Sequence, residues 1–159
     1  MEVKTNPMRH LDKLGIPYTV HHYSDEPLSG MEVATATGEV PEEVFKTLVT
    51  ESKDRSYYVF LVPVTGNLDL KKAAASVGEK SLSMIQSKDL LSLTGYVHGG
   101  CSPLCTKRPM KVVIDATAES LERIYFSAGK VGYQIEMSVA DLPKALDFIF
   151  ADIRKPVQQ

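Results

Sequence analysis

Apolar positions along the chain recur with two different periods, and the switches between them mark out the elements. Residues 17–23 alternate and are rich in Val, Thr and Tyr, which predicts a strand. The runs at 45–51 and 57–62, separated by a polar turn at 52–56, predict an antiparallel pair. Further strands are expected at 96–99, 111–115, 123–126 and 133–137, the last two joined by a glycine-bearing connection. Asn6 before Pro7 reads as an N-cap with proline at the first helical position, and Gly15 closes that helix. Residues 24–29 are a loop by composition, 30–37 are helical in composition, and Pro41-Glu42-Glu43 opens a short turn with acids at its start. A short amphipathic helix at 68–77 ends at Gly78, and another starts at 87–91 with Ser87 as its cap. Leu142, Ala145, Leu146 and Ile149 share one face of a terminal helix over 140–149. Strands interspersed with short helices predict an α/β or α+β fold, with residues 1–159 as a single domain.

Composition narrows the function classes more than the fold. A chain of 159 residues, 43% hydrophobic and 24% charged, is long enough to bury its own core and ordinary in balance. The formal net charge of −2 excludes a generally basic nucleic-acid coat. A nucleic-acid reader with this balance must concentrate positive charge locally, and Lys71, Lys72, Lys107, Arg108, Lys111 and Lys130 are the candidates, although such clusters are more often solvated surface. No apolar run approaches the roughly 20 residues that cross a bilayer. Residues 1–9 lack the apolar core of a secretory signal, so a cytoplasmic location is expected and no membrane association. Cys101 and Cys105 are too few for a disulfide framework and fit a reducing compartment.

Two segments carry most of the chemistry. In Phe45-Lys46-Thr47-Leu48-Val49 a lysine sits inside an apolar run, and a buried ammonium needs compensation. On spacing alone Lys46 is equally a solvent-facing strand residue; the functional alternative aims its charge into a cleft. In Tyr96-Val97-His98-Gly99-Gly100-Cys101-Ser102-Pro103 the two glycines either end a strand or bring backbone N–H groups close to a ligand, with the Ser102 hydroxyl beside them. Together these residues suit an ester or acyl group held by one cation and backbone donors. Ser127, ahead of Ala128-Gly129-Lys130, is either a turn cap or a pocket residue. His98, Cys101 and Cys105 form one cluster without a fourth ligand, so neither zinc nor any other cofactor is expected. Cys101 as a nucleophile with His98 as base is possible in principle, but a small packed side chain is the favoured reading, and no Ser-His-Asp or Cys-His arrangement is readable in the chain.

These segments, with 67–74, 94–103 and 124–130, occur in an order that resembles the YbaK/EbsC-type aminoacyl-tRNA deacylases, relatives of the editing domain of bacterial prolyl-tRNA synthetases. The resemblance spans about residues 10–153. It implies a mixed, strongly curved, barrel-like sheet with surrounding short helices. It implies that Lys46 is the principal active-site residue and that the Gly99 and Gly100 backbone lines the aminoacyl pocket, giving Lys46, Gly99 and Gly100 as the catalytic set. Tyr23, Ser102, Ser127 and Gln134 are the substrate-binding set, Tyr23 by alignment with an aromatic near the substrate. The chain departs from the family pattern at Cys105, Ala128 and Val131, and Gln134 stands where some members have aspartate.

The implied function is removal of cysteine from mischarged Cys-tRNA(Pro), with the substrate's thiol closing onto its own ester. Transient association with prolyl-tRNA synthetase is implied as well. The alternatives are a deacylase for alanine or another small amino acid using activated water, and a non-catalytic tRNA- or synthetase-binding module.

Overall fold

The structure, a computed structural model, describes residues 3–24, 26 and 28–156. Its elements run α1 (Asn6–Leu14), β1 (Tyr18–His22), α2 (Gly30–Thr37), β2 (Phe45–Glu51), β3 (Tyr57–Pro63), α3 (Leu70–Ser76), β4 (Ser83–Met84), α4 (Ser87–Thr94), β5 (Lys111–Asp115), β6 (Arg123–Ser127), β7 (Tyr133–Ser138), α5 (Leu142–Ala145) and β8 (Ile149–Ala151). The fold is α+β, with a three-stranded sheet ordered β1-β7-β6 and a five-stranded sheet ordered β4-β2-β3-β5-β8. The smaller sheet is antiparallel throughout. The larger is mixed, because β3 pairs antiparallel with β2 but parallel with β5, which in turn pairs parallel with β8.

The barrel-like, strongly curved core implied by family resemblance is not what forms. Both sheets are open: β4 and β8 end one, β1 and β6 end the other, and none of these pairs closes. An isolated parallel bridge between Val44 and Tyr125 joins the start of β2 to β6 and holds the two sheets side by side.

β3 explains the division of the core. Its continuous apolar run is buried on both faces, as expected for a central strand. Val59 and Leu61 point into a cluster shared with Ile124, Phe126, Ile135 and Met137 of the small sheet and with Met8 and Leu11 of α1. Phe60 and Val62 point the other way, against Leu68, Ala73, Ala74, Val113 and Ile153.

Several boundaries differ from the sequence expectation for local reasons. Thr5, not Asn6, caps α1, its hydroxyl accepting from the Met8 N–H, which leaves Pro7 in the first turn. Asp69 caps α3 through the N–H groups of Lys71 and Lys72, so that helix begins at Leu70. Ser87 does not cap α4; Gln86 precedes it without a side-chain cap. Residues 96–99 form no strand but an irregular segment ending in a turn. The terminal helix stops at Ala145, Leu146 turns extended, and Ile149 enters β8 instead of a helical face.

Candidate active site

β2 delivers Lys46 and Thr47 to the wall of a cavity of about 400 Å³. α2 forms a second wall. Its start is fixed by a capping box between Ser29 and Glu32, and Gly30 lies so close to Val64 that a Cβ there would meet Val64 Cγ1 at 2.2 Å. The segment after α4 supplies His98, Gly99 and Cys101, and the ends of β6 and β7 supply Ser127, Tyr133 and Gln134. Tyr23 completes the wall from the end of β1.

The 95–108 segment is cinched into one shape by its own side chains. Gly95 ends α4 at φ 83°, and the Thr94 hydroxyl accepts from the Tyr96 N–H at 3.0 Å. The buried Tyr96 hydroxyl donates to the Leu104 carbonyl at 2.5 Å, and the Lys107 N–H returns to the Thr94 carbonyl at 2.9 Å. Gly99 adopts φ 84°, a left-handed conformation that favours glycine. Its N–H has no partner among the described residues, and the residue lines the cavity.

Gly100 and Ser102 stand outside this wall, unlike the other five residues singled out from the sequence. The Gly100 N–H is committed to the Val97 carbonyl at 2.9 Å. A Cβ at Gly100 would lie 3.0 Å from the Val131 nitrogen, so its smallness serves the close approach of this loop to the turn after β6. Ser102 is fully buried, and its hydroxyl accepts from the Leu104 N–H at 3.1 Å. Both residues therefore hold the loop in shape. Ser127 serves twice: it lines the cavity, and its hydroxyl accepts from the Gly129 N–H at 3.1 Å.

Electrostatically the cavity holds one cation. Lys46 is half-buried, and its sole hydrogen bond among the described residues is a long one of 3.5 Å to Asn67 Oδ1, with no carboxylate in ion-pair range. Burial lowers its pKa from the ordinary lysine value. Burial also pushes the Cys101 thiol up to about 11, so this cavity-lining cysteine is a neutral thiol. No hydrogen bond joins Cys101 to the exposed His98; the thiol's partner is the Ser102 carbonyl. Among the described residues no group of three His, Cys, Asp or Glu side chains is placed to hold a metal ion. No described helix is long and apolar enough to cross a membrane.

Two neighbours were not legible as site residues. Thr47 lines the cavity, and its buried hydroxyl has no hydrogen-bond partner among the described residues; the adjacent lysine is the sequence signal that points nearest to it. Glu39, just behind the wall, holds Gln134. With the amide nitrogen turned toward the carboxylate, Gln134 donates to Glu39 Oε1 at 2.6 Å and Oε2 at 3.0 Å. Burial raises the Glu39 pKa above the usual carboxylate value.

Comparison with known proteins identifies the relatives of the chain. The family described as aminoacyl-tRNA editing domain matches residues 26–145. A protein of Enterococcus faecalis (strain ATCC 700802 / V583), named as a candidate Cys-tRNA(Pro)/Cys-tRNA(Cys) deacylase, EbsC, is 36% identical over 152 residues, covering 94% of this chain and 93% of its own. The solved structure of a candidate trans-editing enzyme for prolyl tRNA synthetase superposes with a TM-score of 0.83 at 22% identity, over 97% of this chain and 100% of that one. A second solved structure, of a hypothetical protein, gives a TM-score of 0.83 at 21% identity, over 92% and 97% of the two chains. At those identities the structures speak for the fold alone. Matched over most of its length by the family and by a relative of 36% identity, the chain belongs to the YbaK/EbsC-type aminoacyl-tRNA editing deacylases.

Proposed function

We propose that this editing deacylase removes cysteine from mischarged Cys-tRNA(Pro), with the substrate's own thiol as nucleophile. The observation that carries the reading is the makeup of the cavity wall. Lys46 and Gly99, whose N–H has no partner among the described residues, both line it, while its cysteine is a neutral thiol without a bonded base. Such a wall binds and polarises an ester, and among the described residues none of its hydroxyls or its thiol is hydrogen-bonded to a side-chain base that would activate it.

The chemistry follows from that imbalance. The cysteine sulfur bonds to its own ester carbonyl carbon, the bond to the ribose oxygen breaks, and the thiol proton passes to the departing oxygen. The products are a small-ring thiolactone and free tRNA. Intramolecular attack has a high effective molarity, so positioning replaces a general base. The Lys46 ammonium and the Gly99 N–H stabilise the charge that develops on the ester oxygens. Tyr23, Ser127 and Gln134 shape the remaining wall around the aminoacyl group.

The biological need has a physical cause. A synthetase pocket that separates amino acids differing by about one methylene gains only about 1–3 kcal/mol, so a second site that destroys the product is the remedy. The relative named for Cys-tRNA(Pro) and Cys-tRNA(Cys) supports cysteine as the amino acid. With a net charge of −2 and short basic clusters, the chain has little means to read a tRNA body, so transient association with prolyl-tRNA synthetase supplies tRNA choice. The test is a panel of mischarged tRNAs. Cysteine should be cleared from several tRNA bodies by the isolated protein, with alanine and serine cleared far more slowly. Faster clearance of alanine than cysteine refutes the reading.

A further inference from the structure

Glu39 is a half-buried carboxylate at the back of the cavity that the chemistry above does not use. It follows Gly38, the left-handed cap of α2, and its N–H donates to the Ala34 carbonyl at 3.1 Å, so its backbone is tied to that helix end. No cation pairs with it among the described residues. The nearby His21 is bonded to Glu136 instead, its Nε2 2.8 Å from Glu136 Oε1. What Glu39 does hold is Gln134, which is only 2% exposed and lines the cavity.

The two-pronged contact, 2.6 and 3.0 Å from the Gln134 amide nitrogen to the two carboxylate oxygens, fixes the amide. Turning it over would set its carbonyl against a carboxylate. The acceptor oxygen of Gln134 is thereby held on the side away from Glu39, with a negative charge behind it. Tyr23, also in the wall, feels the same charge. The cavity thus has one wall with a cation, Lys46, and another with an amide acceptor backed by an anion. An aminoacyl ester has the matching polarity: negative charge develops at its ester oxygens, and its α-carbon carries an ammonium.

We infer that Glu39, acting through Gln134, forms the subsite for the free α-ammonium of the substrate and makes the enzyme selective for aminoacyl over N-acylated esters. This rests on the deacylase reading above. Glu39 is a positioning residue: it orients Gln134 and supplies charge without touching the reacting atoms.

The test separates binding from turnover. Cysteine and N-acetylcysteine are each joined through an amide to 3′-amino-3′-deoxyadenosine, and the affinity of both analogues is measured by calorimetry. The wild-type protein should bind the free-amine analogue at least about tenfold more tightly. Glu39→Gln should bring the ratio close to one by weakening the free-amine analogue alone, and Glu39→Asp should keep part of the preference. An unchanged ratio in Glu39→Gln, or equal weakening of both analogues, overturns the inference while leaving the deacylase reading intact. Failure of the wild-type protein to bind either analogue overturns both.

Discussion

Replacing Lys46 with methionine keeps the length and most of the apolar stem of the side chain while deleting its charge. Lys46 lies half-buried at the cavity wall, with one long hydrogen bond of 3.5 Å to Asn67 and no carboxylate partner among the described residues. Its charge is therefore not spent on the fold. Two unit charges about 4 Å apart interact by about 4 kcal/mol at an effective dielectric constant near 20. Loss of one preorganised donor to a developing oxyanion costs about 2.7–4 kcal/mol in comparable sites. The account thus expects Lys46→Met to lower single-turnover deacylation of Cys-tRNA(Pro) on the order of 10²–10³-fold.

Stability should move the other way or not at all. Burial holds the folded-state pKa of Lys46 below its unfolded value, so the unfolded chain binds the proton more tightly. The resulting cost to the fold is fully present at neutral pH and fades as pH rises through the depressed pKa toward the unfolded value. Lys46→Met should remove that pH-dependent increment without lowering Tm near neutrality. Single-turnover rates on radiolabelled Cys-tRNA(Pro), with thermal melts at two pH values, check both halves. Near-normal activity, or a lost fold, refutes the reasoning.

Three further outcomes follow from the same geometry. A Cys101→Ser/Cys105→Ser double variant should keep most activity in the deacylation assay, and chelators should have no effect, because the Cys101 thiol is neutral and without a base. Gly100→Ala should destabilise by about 1–3 kcal/mol in denaturant melts, since its Cβ would press on the Val131 backbone at 3.0 Å. Thr47→Val should raise stability by about 1 kcal/mol, by removing a buried hydroxyl that has no partner, while raising KM for the aminoacyl substrate.

The parts of the fold that could be read from the chain are those whose determinants are local. The β2–β3 pair followed from two apolar runs flanking a short polar turn, and its register runs from Phe45 opposite Pro63 to Glu51 opposite Tyr57. Residues 96–99 misled because Tyr96 and Val97 have strand composition. Their conformation is set instead by bonds from the Thr94 and Tyr96 side chains, the latter reaching residue 104. The terminal segment misled because 142, 145, 146 and 149 satisfy a helical spacing, while pairing with β5, more than thirty residues away, claims Ile149 for a strand.

The site divides along the same line. Lys46, Gly99 and Ser127 stand out by residue type and setting, Tyr23 and Gln134 only through the family resemblance, and all five line one cavity. Gly100 and Ser102 belong to the same motif but are buried and bonded within the loop rather than lining the cavity, which a motif alone does not reveal. Glu39 carried no sequence signal, since its meaning depends on a contact with a strand almost a hundred residues away.

The central claim, attack by the substrate's thiol, is tested most directly by mass spectrometry of the earliest products released from Cys-tRNA(Pro) in water enriched in heavy oxygen. The account predicts cysteine thiolactone before free cysteine, and far slower release from the nearly isosteric Ser-tRNA(Pro). Free cysteine carrying solvent oxygen from the first turnover, without thiolactone, or serine cleared at a comparable rate, would contradict it and require a water nucleophile.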